Sequence, residues 1–206
     1  MRVVVAAVPG SGKTSMLKVF SELKPEVRVV NYGDYMLKHA KELYGIEDRD
    51  AMRKVLPLEA YRRVQVLAAR EIASIDGDLV IDTHLAIRTR YGFYPGMPSE
   101  VVRVLRPDVI FLVELDPEVV LERRRKDLLL ESTRVTEIGT VVTRREREIE
   151  SPEEIELHQM MNRYFAVAAA SEVQAVVRIL NLRGVPQTRP FEHAEMGARA
   201  LAELFP

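Results

Sequence analysis

The sequence predicts an α/β fold in which a five-stranded parallel sheet is flanked by helices. Five short runs, residues 3–8, 27–30, 79–81, 109–115 and 173–180, are apolar and rich in β-branched residues, and helical spacing separates them. Strands that are apolar on both faces and alternate with helices lie buried between two helix layers, joined by right-handed crossovers. The first strand runs into Pro9-Gly10-Ser11-Gly12-Lys13-Thr14-Ser15 and then into a helix carrying Met16, Leu17, Val19, Phe20 and Leu23 on one side. After the second strand, residues 58–75 place Tyr61, Val64, Leu67, Ala68 and Ile72 on one face of a long amphipathic cover. Asp116-Pro117 reads as an N-cap with proline at the first helical position, and Glu122 and Lys126 on that helix stand at i, i+4. Ser151-Pro152-Glu153-Glu154 repeats the start signal with an acid three residues on, and Pro190 opens a last helix through Ala194, Met196, Ala198, Leu201 and Leu204. Residues 128–142 are less regular, and periodicity leaves a hairpin, a lid insertion and an association surface all open.

A chain of 206 residues with 47% hydrophobic content buries one substantial core, so a single domain is expected. Lys plus Arg is 30 against 31 for Asp plus Glu, which offers no general field for nucleic acid, so any anion site must be built locally. The absence of cysteine excludes disulfides, thiolate metal sites and a cysteine nucleophile, and accords with a reducing compartment. With the first strand at the N-terminus and no apolar run near 18 residues, neither secretion nor membrane spanning is expected, and a cytoplasmic location is. Charged residues at 30% lean toward a heat-adapted source.

The Gly12-Lys13-Thr14 stretch matches the end of the phosphate-loop pattern Gly-x4-Gly-Lys-Ser/Thr, although Ala7 stands at the first glycine. The strand before it and the helix after it supply the required setting. In such a loop the backbone N–H groups turn toward a polyphosphate, the lysine reaches the β and γ phosphates, and the threonine hydroxyl ligates Mg²⁺. Asp82 closes the third strand, where a second acid holding Mg²⁺ belongs; a capping role for the next loop is the plainer alternative. His84 reads as a structural hydrogen-bonding group, since nothing nearby builds a nucleophile–base relay. Arginines gather beyond strand ends: Arg53, Arg88, the Arg123–Arg125 run, then Arg144, Arg145 and Arg147. Guanidinium forks grip phosphate oxygens in pairs, as phosphoryl transfer requires. A phosphate acceptor is already a nucleophile and needs no base, whereas a hydroxyl acceptor does; Asp34 is the one candidate base.

Several landmarks together resemble the archaeal-type adenylate kinases, a branch of the nucleoside monophosphate kinases. They are residues 8–14, 30–34 (Val-Asn-Tyr-Gly-Asp), 47–54, 81–84 with 87–89, 92–98, and 158–163 (His-Gln-Met-Met-Asn-Arg), in the family's order over most of the chain. The resemblance implies the P-loop nucleoside monophosphate kinase fold: a core of 1–31, 76–126 and 149–206, an AMP-binding segment at 32–75, a lid or insertion at 127–148, and a homotrimer. It implies that Pro9, Gly10, Ser11, Gly12, Lys13, Thr14 and Ser15 bind ATP, that Thr14 and Asp82 hold Mg²⁺, and that Gly33, Arg53 and Arg88 bind AMP. Lys13, Arg88, Arg123 and the lid pair Arg145 and Arg147 would act on the phosphoryl group in flight. AMP is then the co-substrate, with no nucleic-acid partner and no membrane. The competing expectations are another small-molecule kinase, for a different monophosphate or for a hydroxyl through Asp34, and a slow ATPase serving as an assembly factor. No Asn-Lys-x-Asp guanine-reading motif occurs.

Overall fold

The computed structural model describes residues 1–133 and 150–206. Five parallel strands form the sheet: β1 (Arg2–Ala6), β2 (Arg28–Asn31), β3 (Leu79–Thr83), β6 (Val109–Glu114) and β7 (Val176–Asn181), in the order β2-β3-β1-β6-β7. Alternation within the strands splits the core into two layers, Val3 and Val5 facing one and Val4 and Ala6 the other. On the first side lie α1 (Lys13–Leu23) and α8 (Glu192–Ala202), which contribute Phe20 and Leu201. The other side is covered by α2 (Tyr32–Tyr44), α4 (Leu58–Ala73), α5 (Ser99–Leu105) and α7 (Pro152–Val173). The short α3 (Arg49–Val55) joins α2 to α4, and α6 (Pro117–Thr133) follows β6.

The chain leaves β1 for β2 and β3 on one side and returns to β6 and β7 on the other. Strand order thus reverses at β1, and ligands of open parallel sheets bind outside the strand ends at such a point. The glycine loop occupies it.

The five predicted strands form, with shifted ends. Asp82 and Thr83 lie within β3 rather than beyond it. The fifth run begins later than its apolar pattern suggests, because α7 continues through Val173 and stops where Gln174 turns left-handed at φ 59. The Ser151 start signal becomes a complete capping box: Ser151 Oγ accepts from Glu154 N, and the Glu154 carboxylate accepts from Ser151 N at 2.8 Å. Glu122 and Lys126 pair at 2.6 Å, as their spacing predicts. The expected division at residue 126 does not coincide with an element end, since α6 runs on to Thr133; the rest of the predicted lid, with Arg145 and Arg147, lies outside the described residues.

One element went unread in the sequence. Residues 86–95 form an antiparallel hairpin, β4 (Ala86–Thr89) and β5 (Gly92–Pro95), closed by Thr89 Oγ1 donating to Gly92 O at 2.8 Å. Four-residue strands without an apolar alternation carry little periodicity. Tyr91-Gly92, with Gly92 at φ 119, was the available turn signal.

Candidate active site

The loop after β1 takes its shape from two glycines with left-handed backbone, Gly10 at φ 85 and Gly12 at φ 87. At Gly10 a Cβ would also fall 2.7 Å from Arg124 Cγ, so helix α6 closes onto the loop only because no side chain stands there. Two arginines of α6 then hold the loop through its carbonyls. Arg124 Nε donates to Pro9 O at 2.8 Å and Arg123 Nη1 to Ser11 O at 2.7 Å. Arg123 Nη2 also reaches Gln187 Oε1 (2.7 Å) and His193 Nδ1 (3.0 Å), joining the loop after β7 to the same mouth. Among the described residues, Ser11 Oγ and Arg124 Nη2 are buried and meet no partner, an unmet demand beside the loop.

Lys13 opens α1 and is buried against Asp82, with 2.5 Å between Nζ and Oδ1, while Nζ also donates to Thr83 O. Burial lowers its ammonium pKa and the Asp82 carboxylate opposes that shift. Asn31 Nδ2 donates to Asp82 Oδ2 at 2.7 Å, so the carboxylate is held from β2 as well. Next door, His84 is kept well below its ordinary range by the Lys13 cation first and by burial second; its Nδ1 meets Ala7 O at 3.2 Å. A neutral imidazole bonded to the start of the loop fits the structural role expected of it.

A cleft open to solvent runs from Lys13, Asp82 and His84 to Gly33, Arg49 and Arg53, with Met36, Met52, Tyr61 and Ile87 along its wall. Arg53 comes from α3 and lies against Tyr61, whose phenol is pushed up by burial and pulled back by that guanidinium. Thus the loop lysine, the strand-end acid, Gly33 and Arg53 converge although four elements supply them. Thr14 sits exposed on the first turn of α1. Asp34 does not converge: it is exposed, tied to Arg49, and absent from the cleft wall.

Arg88 also lies off the cleft wall. From β4 it pairs with Glu150 (2.9 Å) and Glu154 (2.7 Å), which ties it to the start of α7. Sequence reading missed Glu150 as well as Arg49. Glu150 is 6% exposed and faces Arg124 and His158 besides Arg88. Burial pushes its carboxyl up, but the bonds from His158, Arg124 and Arg88 outweigh that and bring it to about 2.

The 158–163 block acquires a physical role that its sequence did not disclose. Asn162 Oδ1 accepts from Ala86 N (2.9 Å) and His158 Nε2 meets Ala86 O (2.9 Å), so both polar atoms of one residue after β3 are held by α7. Gln159 does the same for Leu115 after β6, its amide bonding Leu115 N and O at 3.0 Å each. Arg163 Nε reaches Glu114 at 2.5 Å. Helix α7 therefore sets the separation of the two strand ends that flank β1.

A glycine loop at the switch point of a parallel sheet, its lysine facing an acid on the neighbouring strand and its carbonyls held by arginines, defines a P-loop phosphotransferase of the small-kinase type. A family model described as an AAA domain matches residues 6–141. The adenylate kinase of Pyrobaculum aerophilum is 48% identical over 204 residues, covering 99% of this chain and 96% of that protein. That of Sulfurisphaera tokodaii is 40% identical over 195 residues, covering 89% and 92% respectively. A shikimate kinase from Bacteroides thetaiotaomicron shares the fold, with a TM-score of 0.53 at 15% identity over 99% of this chain and 97% of that one. The chain belongs to the adenylate kinase family, and is a nucleoside monophosphate kinase.

Proposed function

We propose that the protein transfers the γ-phosphoryl of MgATP reversibly to AMP, yielding two ADP, by in-line displacement without a covalent intermediate. The observation that carries this reading is the single cleft in which Lys13, from the glycine loop, and Arg53, from the 32–75 segment, face a common space. ATP phosphates would lie on the N–H groups of residues 9–15, with Ser11 Oγ among the donors; AMP would lie toward Gly33 and Arg53, with Arg88 entering from the hairpin. Arg123, and Arg145 and Arg147 of the 127–148 lid, would neutralise the group in flight. An ionised phosphate acceptor requires alignment and charge rather than a base, which agrees with a neutral His84 and with Asp34 turned to Arg49.

Mg²⁺ fits the residues present. Asp82 Oδ1 is buried and, among the described residues, is met by the Lys13 ammonium, leaving a lone pair for a hard cation, with the Thr14 hydroxyl at the adjoining helix start. When bound, Mg²⁺ supplies charge neutralisation across the phosphates. Among the described residues no cluster of three or more His, Asp or Glu could hold a metal by itself, so substrate oxygens would complete the shell. We also propose a cytoplasmic location; no described helix is long and apolar enough to cross a membrane.

The test is ADP formation from ATP with AMP, dAMP, CMP and UMP in turn, run for the parent and Arg53→Ala. AMP is expected to give the fastest turnover, and Arg53→Ala to raise the KM for AMP at least tenfold while that for ATP moves less than twofold. ADP formation indifferent to AMP would defeat the reading.

The protein is further proposed to be a homo-oligomer, a trimer by resemblance. Supporting this, Leu157, Met160, Tyr164 and Val167 recur at helical spacing along α7, 38–58% exposed, as an apolar stripe open to solvent. Tyr164→Glu with Val167→Glu is expected to shift the mass in sedimentation to that of a single chain, with the secondary structure kept. An unchanged mass above that of one chain would exclude this stripe as the contact.

A further inference from the structure

The geometry around Glu150 points to a residue that couples the two nucleotide sites. We propose that Glu150 is a positioning residue for the acceptor phosphate, holding Arg88 and the ATP loop to one shared carboxylate. The inference rests on the adenylate kinase reading and goes beyond it.

Glu150 sits immediately before the Ser151 cap of α7 and receives three donors from three elements. Arg88 Nη1 of the hairpin reaches Oε1 at 2.9 Å, Arg124 Nη1 of α6 reaches Oε2, and His158 Nδ1 of α7 stands 3.3 Å from Oε1. Two of these donors continue into the site. Arg124 Nε holds Pro9 O of the ATP loop at 2.8 Å, and His158 Nε2 holds Ala86 O at 2.9 Å, two residues before Arg88. Glu154 takes the second Nη of Arg88 at 2.7 Å and is itself fixed by the capping box.

Alone, Arg88 is a long side chain with several rotatable bonds, and gripping a phosphate would cost it that freedom. Two carboxylates remove most of the freedom beforehand. They occupy one N–H on each Nη, and a guanidinium has five, so the remaining donors stay available to a phosphate. Arg124 and Glu150 are both under 10% exposed, so the loop end of the link is a buried charge pair, while its hairpin end, Arg88, is 36% exposed.

The test is a double-mutant cycle on full-length enzyme, Glu150→Gln and Arg88→Ala singly and together. KM for AMP, KM for ATP and kcat are measured well below each variant's unfolding temperature, and Glu150→Asp serves as the charge-keeping control. Expected for Glu150→Gln is a rise of roughly tenfold or more in the KM for AMP, with the KM for ATP changed by less than threefold. Glu150→Asp should recover most of the AMP effect, and in the Arg88→Ala background the Gln substitution should add little. An AMP KM that is unchanged or lower in Glu150→Gln overturns the proposal, as does an equal loss for both nucleotides or a full effect persisting without Arg88. If the parent enzyme itself ignores AMP, the adenylate kinase reading falls first, a result distinct from a parent that responds to AMP while Glu150→Gln keeps its affinity.

Discussion

Lys13→Met is expected to lower turnover by ~10³-fold while the protein stays folded and still binds an ATP analogue. The magnitude follows from where the charge sits. Lys13 is 9% exposed, and its field on a migrating phosphoryl is therefore little screened by water. The ammonium is held by Asp82 and Thr83 O, so the cation is already desolvated and aligned, and a polyphosphate need only replace those partners. Methionine keeps the apolar stem and deletes the charge, which separates electrostatics from packing. It also leaves Asp82 with only Asn31, and a partly unpaired buried carboxylate lowers stability, so turnover has to be measured below the variant's own transition. Single-turnover rate and analogue affinity, taken together, decide the matter. Turnover near the parent's would remove Lys13 from the chemistry, and a loss confined to ATP affinity would make it a binding group only.

Gly96→Ala should produce the largest loss of stability of any alanine substitution among the described glycines. A Cβ at residue 96 would lie 1.7 Å from the His84 carbonyl oxygen and 3.4 Å from that of Leu85, backbone atoms that no rotamer change can move aside. Gly96 N also donates to Leu85 O at 2.7 Å, and Gly96 O accepts from the fully buried Gln65 at 3.2 Å. Relief requires the hairpin to part from the end of β3, breaking both bonds. The expected cost is on the order of 3 kcal/mol or more, a fall in Tm of about 10 °C for a chain of this size. Thermal unfolding measures it directly. Because the displaced backbone carries His84 and leads to Arg88, AMP-dependent turnover should fall as well. A Tm within 2 °C of the parent's would show that the close approach is absent in solution.

These two positions differ in how readable they were. Lys13 stands in a motif whose chemistry is local: glycines, a lysine and a hydroxyl must follow one another, so spacing alone identifies them. Asp82 at a strand end and Arg53 beyond the second strand were legible for a related reason, since position after a buried parallel strand implies nearness to the ligand edge. Gly96 gave no such sign, because what forbids a side chain there is the carbonyl of His84, in the loop after β3. Glu150 read as one more acid before a capping box. Only the packing of α6, α7 and the hairpin around it produces its three donors. Arg88 was read as a phosphate ligand, and the structure adds the two carboxylates that hold it.

The 158–163 block makes the same point in a different form. In the sequence it was only a landmark of the family resemblance, but His158, Gln159 and Asn162 act by satisfying backbone groups at Ala86 and Leu115, remote in sequence and close in space. No periodicity encodes which backbone a buried amide will meet.

By itself the sequence determined the strand–loop–helix, the parallel sheet and the family, because each depends on local spacing or on an ordered series of short motifs. Tertiary structure alone decided which arginines meet which acids, where a methyl group cannot fit, and how far apart the two strand ends stand. The physical reason is that charge pairing and steric exclusion act over a few ångströms between segments distant along the chain, and the sheet order sets those distances.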